Sequence, residues 1–266
     1  MSFSPLMTVM VNAARKAARG IRRDFGEVEN LQVSVKGPGD FVTSADKRTE
    51  KILFDELARA RPGYGFLGEE GGTRPGSDRD NRWIIDPIDG TTNFIHGVPL
   101  IAISIALERA GDIVAGVVYN PIMDELFTAE RGRGALLNEK RRLRVSARRD
   151  LKDALVSCGL PHTAGESTSK FAGEMAALQG RVAGLRRTGS ACLDLAYVAA
   201  GRFDAFWERG LHAWDIAAGL LLVREAGGRV NDLDGRSDLL ATGNVLATNA
   251  AIYEELEKTL KLSRPA

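Results

Sequence analysis

The stretch WIIDPIDGTTNF, residues 83–94, ends an apolar run with two carboxylates, Asp86 and Asp89, three residues apart. Like charges held this close raise each other's pKa and are unfavourable unless something compensates them. A solvated turn is one reading, because Asp, Pro and Gly are ordinary turn residues. A divalent-metal site is the other. The D-x-x-D spacing alone does not choose between them.

The residues after Gly90 add a second half. Thr91, Thr92 and Asn93 read as a helix start, where free backbone N–H groups favour phosphate. Three more carboxylates stand in similar places: Glu69 and Glu70 close the predicted strand ending in FLG, and Asp215 opens a predicted helix in HAWDIAAG. Strand ends and helix starts are where α/β proteins gather ligands. Hard divalent cations prefer oxygen donors, and Mg²⁺ often takes one or two carboxylates plus water and substrate phosphate. Carboxylates for metal beside N–H groups for phosphate describe a phosphate-ester site, a pairing that a solvated turn does not need.

The bulk properties exclude several classes. The chain has 266 residues, 44% hydrophobic and 27% charged, which suits one large domain or two intimately packed subdomains. A net charge of +1 provides no global field for nucleic acid or an acidic surface. Two cysteines, Cys158 and Cys192, without C-x-x-C spacing argue against a disulfide framework or a cysteine zinc site and fit a reducing compartment. The N-terminal stretch lacks a signal-peptide core, and no segment approaches the roughly 18 apolar residues of a membrane span. A cytoplasmic protein is expected, without a membrane partner. The eight Lys/Arg between Arg131 and Arg149 are compatible with a nucleic-acid patch. Solvated strand faces are the favoured reading: GALLNEKRRLRVS fits a hairpin turning near Asn138-Glu139, and no interleaved aromatics supply base stacking.

Leu6, Met10, Ala13, Ala17, Ile21 and Phe25 recur at helical spacing and predict an amphipathic first helix. VSVKGPGDFV contains a turn or mobile loop at Gly37–Gly39, and SADKRTEKILFDELARARPG predicts a second helix stopped near Pro62. YGFLGEE and RWIID read as short buried strands, and IAISIALERAGDIVAGVVYN as two strands around an Ala110-Gly111-Asp112 turn. From about residue 150 strands and helices alternate. The expected architecture is α+β first and α/β second, layered around one or two sheets.

WIIDPIDGTTNF and the later WDIAAGLLLVREAGG together closely resemble the inositol monophosphatase family, with GDFVTSAD (39–46), FLGEE (66–70), VVYNP (117–121) and RRTGSACLDLAYVAAGRFDAFWE (186–208) as supporting stretches in the same order. The resemblance implies a layered αβαβα sandwich of the sugar-phosphatase type. It also implies a single such domain over 1–266, with subdomains near 1–145 and 146–266, two to three Mg²⁺ ions, lithium sensitivity and a homodimer. The apolar strands around 99–120 lend the homodimer weak support. Carried over residue by residue, Glu69, Asp86 and the Ile88 carbonyl would hold a first Mg²⁺, and Asp86, Asp89 and Asp215 a second. A third ion would lean on Glu69. Thr91 with Glu69 would activate the attacking water, Asp46 and Thr43 would keep Thr91 placed, and the Gly90 and Thr91 N–H groups would bind phosphate. Gly189, Ser190 and Ala191 would meet the substrate through backbone groups, Glu208 would bind a substrate hydroxyl, and Lys36 and His212 would be accessory.

The residues have blander readings as well. Lys36 taken alone is a solvated lysine, Glu208 a strand-end acid, Trp83 and Trp214 packing supports, Cys192 core and His96 a structural or rim residue. His162 is either substrate-facing or a loop residue. Hydrolysis of inositol 1-phosphate is the leading expectation. Fructose 1,6-bisphosphate, histidinol phosphate and 3′-nucleotides are alternative substrates within the superfamily. A regulatory partner of RNA or the transcription machinery is an alternative of another class.

Overall fold

The computed structural model describes residues 3–25, 33–37, 40–160 and 166–262; the side chains of 33–37, 40–42, 166–167 and 262 fall outside that description. Helix α1 (Pro5–Asp24) starts at Ser4, whose hydroxyl accepts the Met7 N–H, and buries a stripe that includes Met7, Met10, Ala14, Ala17 and Ile21. A hairpin of β1 (Val33–Gly37) and β2 (Asp40–Thr43) leads into α2 (Ser44–Ala60). Thr43 and Asp46 form a reciprocal capping box at the start of α2.

The first sheet contains β3 (Tyr64–Gly68), β4 (Gly72–Arg74), β5 (Asp78–Asp89), β6 (Ala102–Arg109), β7 (Asp112–Asn120), β8 (Glu125–Glu130), β9 (Gly134–Leu137) and β10 (Arg141–Arg142). Its order is β10-β9-β8-β7-β6-β5-β3-β4, antiparallel throughout except for the parallel β3–β5 pair. The second sheet contains β11 (Leu155–Cys158), β12 (Gly184–Arg186), β13 (Ala205–Glu208), β14 (Arg229–Asp232) and β15 (Val245–Thr248), in the order β12-β11-β13-β15-β14. It is mixed: β11 runs parallel to β12 and β13, and β15 is antiparallel to both its neighbours. The remaining helices are α3 (Thr91–Ile95), α4 (Glu166–Leu178), α5 (Ala191–Ala199), α6 (Ala213–Glu225), α7 (Leu239–Thr242) and α8 (Tyr253–Leu262).

Three apolar clusters stack these elements into an αβαβα sandwich. The first joins α1 and α2 to one face of the large sheet, the second holds α5 and α6 between the sheets, and the third covers the outer face of the small sheet with α4 and α8. The period-2 alternation of β6 shows how the chain encodes this. Ile103, Ile105 and Leu107 face α1 and α2, whereas the small Ala102 and Ala106 face the central helices. On β7 a Cβ at Gly116 would lie 3.0 Å from the Ala218 backbone, so glycine there lets α6 approach the sheet closely.

Several expectations change here. Within the apolar strands around 99–120, Ile101–Leu107 and Ala115–Asn120 are buried inside this chain, so their apolar side chains are spent on its own core, whereas Pro99 and the turn at 109–112 are exposed. RWIID is the middle of a twelve-residue strand, not a short one. The short elements β4, β12, β14 and α7 are absent from the sequence reading. The Asn138-Glu139 turn is found, with both residues at positive φ, and Arg131 and Arg148 pair with Asp112 and Asp204. Among the described residues no helix is long and apolar enough to cross a membrane. Both cysteines are free and buried.

Candidate active site

The end of β5 is irregular, and the irregularity sets the site. Asp86 pairs with Ser104 and Asp89 with Ala102, so three steps on β5 oppose two on β6. This is a bulge. In a regular strand, residues i and i+3 point to opposite faces. The extra residue restores the parity and turns both aspartates toward the central helices, the face shared by Ala102 and Ser104. Pro87 has no N–H to lose in the broken ladder. The freed Ile88 backbone is reused locally: its N–H donates to Asp86 Oδ1 (3.0 Å) and its carbonyl lies 3.1 Å from the Thr91 hydroxyl. Gly90 then takes φ +91° as the α3 cap, and a Cβ there would meet the Leu100 and Gly189 carbonyls at 2.9 and 3.1 Å.

The central helices bring the other groups. Asp89 Oδ2 accepts the Ser190 hydroxyl (2.6 Å) and the Cys192 N–H (2.7 Å) at the start of α5. Asp215, in the first turn of α6, accepts the His212 N–H at 2.7 Å. Cys192 Sγ donates to the Asp215 carbonyl at 3.0 Å, and one ligand atom each from Asp86, Asp89 and Cys192 lie within 4.8 Å of one another. Burial pushes the Asp86 carboxyl well above the usual carboxylate range, and the charges of Glu69, Asp89, Asp215 and Asp46 push it further. Asp89 is raised as well, chiefly by burial, against the lowering effect of its hydrogen bonds. Cys192 is pushed far up, by burial first and then by the same carboxylates, and stays a thiol.

Glu69 follows β3, and its N–H bonds the Ile85 carbonyl at 3.3 Å. The turn is braced by Glu50 on α2, whose Oε2 accepts the Glu70 N–H at 2.8 Å. Cβ atoms at Gly68 and Gly71 would each come within 2.6 Å of that carboxylate, so both glycines make room for it. Asp46, 1% exposed, accepts the Thr43 N–H at 2.8 Å as well as the Thr43 hydroxyl, and its other oxygen lies 3.1 Å from the Thr91 hydroxyl. Burial raises the Asp46 pKa and these hydrogen bonds oppose the rise.

Beside the carboxylates is a cavity of about 100 Å³ lined by residues that include Asp89, Gly189, Ser190, Ala191, Glu208 and Asp215. Glu208 ends β13, and burial followed by the charges of Asp194, Asp215 and Asp89 pushes its carboxyl well up, with Arg187 opposing. Gly159 closes the cavity beneath it: a Cβ there would sit 1.8 Å from Glu208 Cδ.

The family model for the inositol monophosphatase family matches residues 3–264. The chain belongs to this family. It is 60% identical over 261 residues to the inositol-1-monophosphatase of Mesorhizobium japonicum, covering 98% of each chain. It is 44% identical over 265 residues to the Nus factor SuhB of Pseudomonas aeruginosa, covering 98% of this chain and 97% of that one. A solved structure of the extragenic suppressor protein suhB from Bartonella henselae superposes with a TM-score of 0.94 at 55% identity, covering 97% of this chain and 99% of that one.

For a member of the inositol monophosphatase family, the donor set suits a hard divalent cation. Asp86, Asp89, Asp215, Glu69 and the Ile88 carbonyl offer oxygen, and the charges of Glu69, Asp89 and Asp215 add to burial in raising the Asp86 carboxyl. The structure brings together Asp86, Ile88, Asp89, Thr91, Asp46 and Thr43 through hydrogen bonds or pairing, and Gly189, Ser190, Ala191, Glu208 and Asp215 around the cavity. His212 lies outside the cavity lining; it is exposed and stacks on Trp214 at 4.6 Å. The Lys36 side chain and all of His162 lie outside the described residues. Trp83 is core, as expected, against Tyr64. Cys192 is core too, but it also borders the acidic cluster.

Sequence reasoning missed Glu50, Asn93, Gly159, Arg187 and Asp194. Glu50 had a signal: Asp46, Glu50, Leu53 and Leu57 share the buried face of α2, where two acids are out of place. Asp194 had the same signal within the apolar ACLDLAYVAAG. Asn93 had none, since its amide ties α3 to Leu100 O (2.7 Å) and Thr188 O (2.9 Å), a residue 95 positions away.

Proposed function

We propose that this chain hydrolyses inositol 1-phosphate to inositol and phosphate with Mg²⁺, as a cytoplasmic homodimer. The observation that carries the reading is the convergence of Asp86, Asp89 and Asp215 on one face beside a cavity that ends at Glu208. A phosphate monoester resists attack because its own charge repels hydroxide. Bound divalent cations would neutralise that charge, acidify water and stabilise the leaving alkoxide. Asp86, Ile88, Asp89, Glu69 and Asp215 are the groups that would hold them, two ions and a weaker third.

The chain's own residues divide the remaining tasks. The Thr91 hydroxyl donates to Asp46, which leaves a lone pair to accept a hydrogen bond from the attacking water; Thr91 would take the water's proton as it passes its own to the Asp46 carboxylate, and Glu69 takes part from the opposite turn. The Gly90 and Thr91 N–H groups face the phosphate. Gly189, Ser190 and Ala191 present backbone groups to the polyol, and Glu208 accepts from a polyol hydroxyl. A site built around such a bond discriminates against analogues that lack it. A phosphate-release panel tests the reading: inositol 1-phosphate, fructose 1,6-bisphosphate, histidinol phosphate, a 3′-nucleotide and glycerol 2-phosphate, each with Mg²⁺ and with EDTA. Preference for any ester other than the first reassigns the substrate, and EDTA-resistant turnover removes the metal.

The name of the Pseudomonas relative, a Nus factor, favours a second reading as a partner of the transcription machinery. A variant such as Asp89→Asn that loses hydrolysis but still complements a deletion strain would support it.

A further inference from the structure

The wall of the cavity carries a carboxyl group that hydrolysis as described above does not use. Asp194 lies in the first turn of α5 and is 1% exposed. Its Oδ2 accepts the Thr188 hydroxyl at 2.8 Å, and its backbone N–H bonds the Ser190 carbonyl at 3.0 Å, so the residue is held from two sides. Its Oδ1 has no hydrogen-bond partner among the described residues. The Ser157 hydroxyl is close enough to lower the carboxyl's pKa, but it donates to the Ala205 carbonyl, 3.4 Å away. Among the described residues two other buried side-chain atoms lack partners, Trp83 Nε1 and Thr248 Oγ1, and neither residue lines the cavity.

An acid is an unfavourable choice for a residue that only anchors Thr188. An asparagine carbonyl would accept the same hydroxyl without burying a charge. The surroundings sharpen the point: burial and the charge of Asp89 push Asp194 well above the usual carboxylate range, and Arg187 opposes them only in part. Glu208, on another wall of the same cavity, is raised for the same reasons. Two carboxyl groups are thus kept where polar groups converge on the leaving part of the substrate.

We infer that Asp194 is a second specificity-determining residue of the leaving-group pocket, its free Oδ1 and the Glu208 carboxyl each engaging a different hydroxyl of the polyol. This rests on the reading of the substrate as a phosphorylated polyol. It predicts that one hydroxyl is read through Asp194 and another through Glu208, beyond whatever the Gly189–Ala191 backbone contacts. The test is a series of deoxy analogues of inositol 1-phosphate, each lacking one ring hydroxyl, with glycerol 2-phosphate as reference. On the wild-type enzyme two of the deletions should each lower kcat/KM about tenfold or more. In Asp194→Asn one of those two deletions should lose its effect while the other keeps it, and in Glu208→Gln the roles should exchange. A single sensitive hydroxyl in the wild type overturns the inference. So does a uniform loss on every analogue in Asp194→Asn, which is what a purely structural role through Thr188 produces. If Asp194→Asn does not fold, the same series on Asp194→Ser decides by the same criterion. If the wild type does not prefer inositol 1-phosphate to glycerol 2-phosphate, the substrate reading fails instead, and that outcome is visible before any variant is made.

Discussion

Gly159→Ala tests the role of Glu208 without altering any charged group. Gly159 follows β11, where Cys158 pairs with Trp207 and the Gly159 N–H reaches the Trp207 carbonyl at 3.4 Å, so its position is set by the sheet. An ideal Cβ at this site lies 1.8 Å from Glu208 Cδ and 1.9 Å from both carboxylate oxygens, a separation no real pair of atoms tolerates. Gly159 is not among the residues at positive φ, so alanine can adopt its backbone conformation. The clashing atoms are the end of a flexible side chain, so the carboxyl swings away and the sheet stays intact. Stability should hold or rise by about 0.4–1 kcal/mol, because alanine restricts the unfolded chain. Losing the charge-assisted hydrogen bond from a polyol hydroxyl is worth roughly 1.5–3 kcal/mol, about ten- to a hundredfold in kcat/KM for inositol 1-phosphate. The assay is phosphate release on inositol 1-phosphate and glycerol 2-phosphate, read as the ratio of the two kcat/KM values, with a thermal melt beside it. Glu208→Gln should move the ratio in the same direction. An unchanged ratio in a folded Gly159→Ala protein refutes the reasoning, and equal losses on both esters would mean that Glu208 supports the fold or the metals instead.

Asp89→Asn should keep the fold, abolish Mg²⁺-dependent turnover and melt higher than wild type in EDTA, because it removes one member of a buried, mutually repelling set; wild-type turnover in this variant contradicts the metal assignment. Glu50→Ala should lower stability by about 1–3 kcal/mol and raise the Mg²⁺ concentration needed for half-maximal activity, since the Glu70 N–H loses its acceptor and Glu69 its support; a variant with unchanged melting and Mg²⁺ response would mean the brace is idle. Gly116→Ala should destabilise by about 1–3 kcal/mol, as its Cβ meets the Ala218 backbone at 3.0 Å, and a thermal melt within experimental error of wild type would show that the central layer is looser than drawn. Li⁺ should inhibit at low Mg²⁺ through the site of Asp86, Asp89 and Asp215, and turnover insensitive to millimolar Li⁺ removes that expectation.

Much of the fold was legible because its elements follow their own periodicities. The α1 stripe, the β6–β7 hairpin around Ala110-Gly111 and the glycine-terminated α6 each rest on residues close in sequence. Two strands of the second sheet were not legible. β12 and β14 offer three and four residues, too few for an alternation to stand out, and their pairing is decided by β11 and β15 far along the chain. The 99–120 strands were ambiguous as support for a homodimer for a related reason. An apolar strand reads the same whether a helix of its own chain or a second copy covers it.

The site was legible as a list of residues and not as a geometry. Asp86 and Asp89 are three apart, and strand parity alone would send them to opposite faces, one toward α1 and α2 and the other toward α5 and α6. What reconciles the motif with a shared site is the bulge, which sequence reasoning took for a turn at the strand's end. The bulge also explains the residues between the aspartates. A regular strand with one residue between them would bring both carboxylates to one face, but that residue's backbone groups would be committed to the sheet. The two residues present, Pro87 and Ile88, leave the Ile88 N–H free to hold Asp86 and its carbonyl free beside Thr91, while the Ile88 side chain packs into the outer core at 1% exposure. Proline fits the first of these positions because it has no N–H to leave unsatisfied. The same short segment therefore anchors the sheet on one side, offers a backbone oxygen among the carboxylates on the other, and delivers the chain to Gly90, where the left-handed turn starts α3. The small residues opposite, Ala102 and Ser104 on β6 and Gly116 on β7, keep the central helices close enough for Asp215 to join from α6. A site of this kind depends on close approach between layers, so substitutions that thicken the central layer should impair metal-dependent turnover before they unfold the protein.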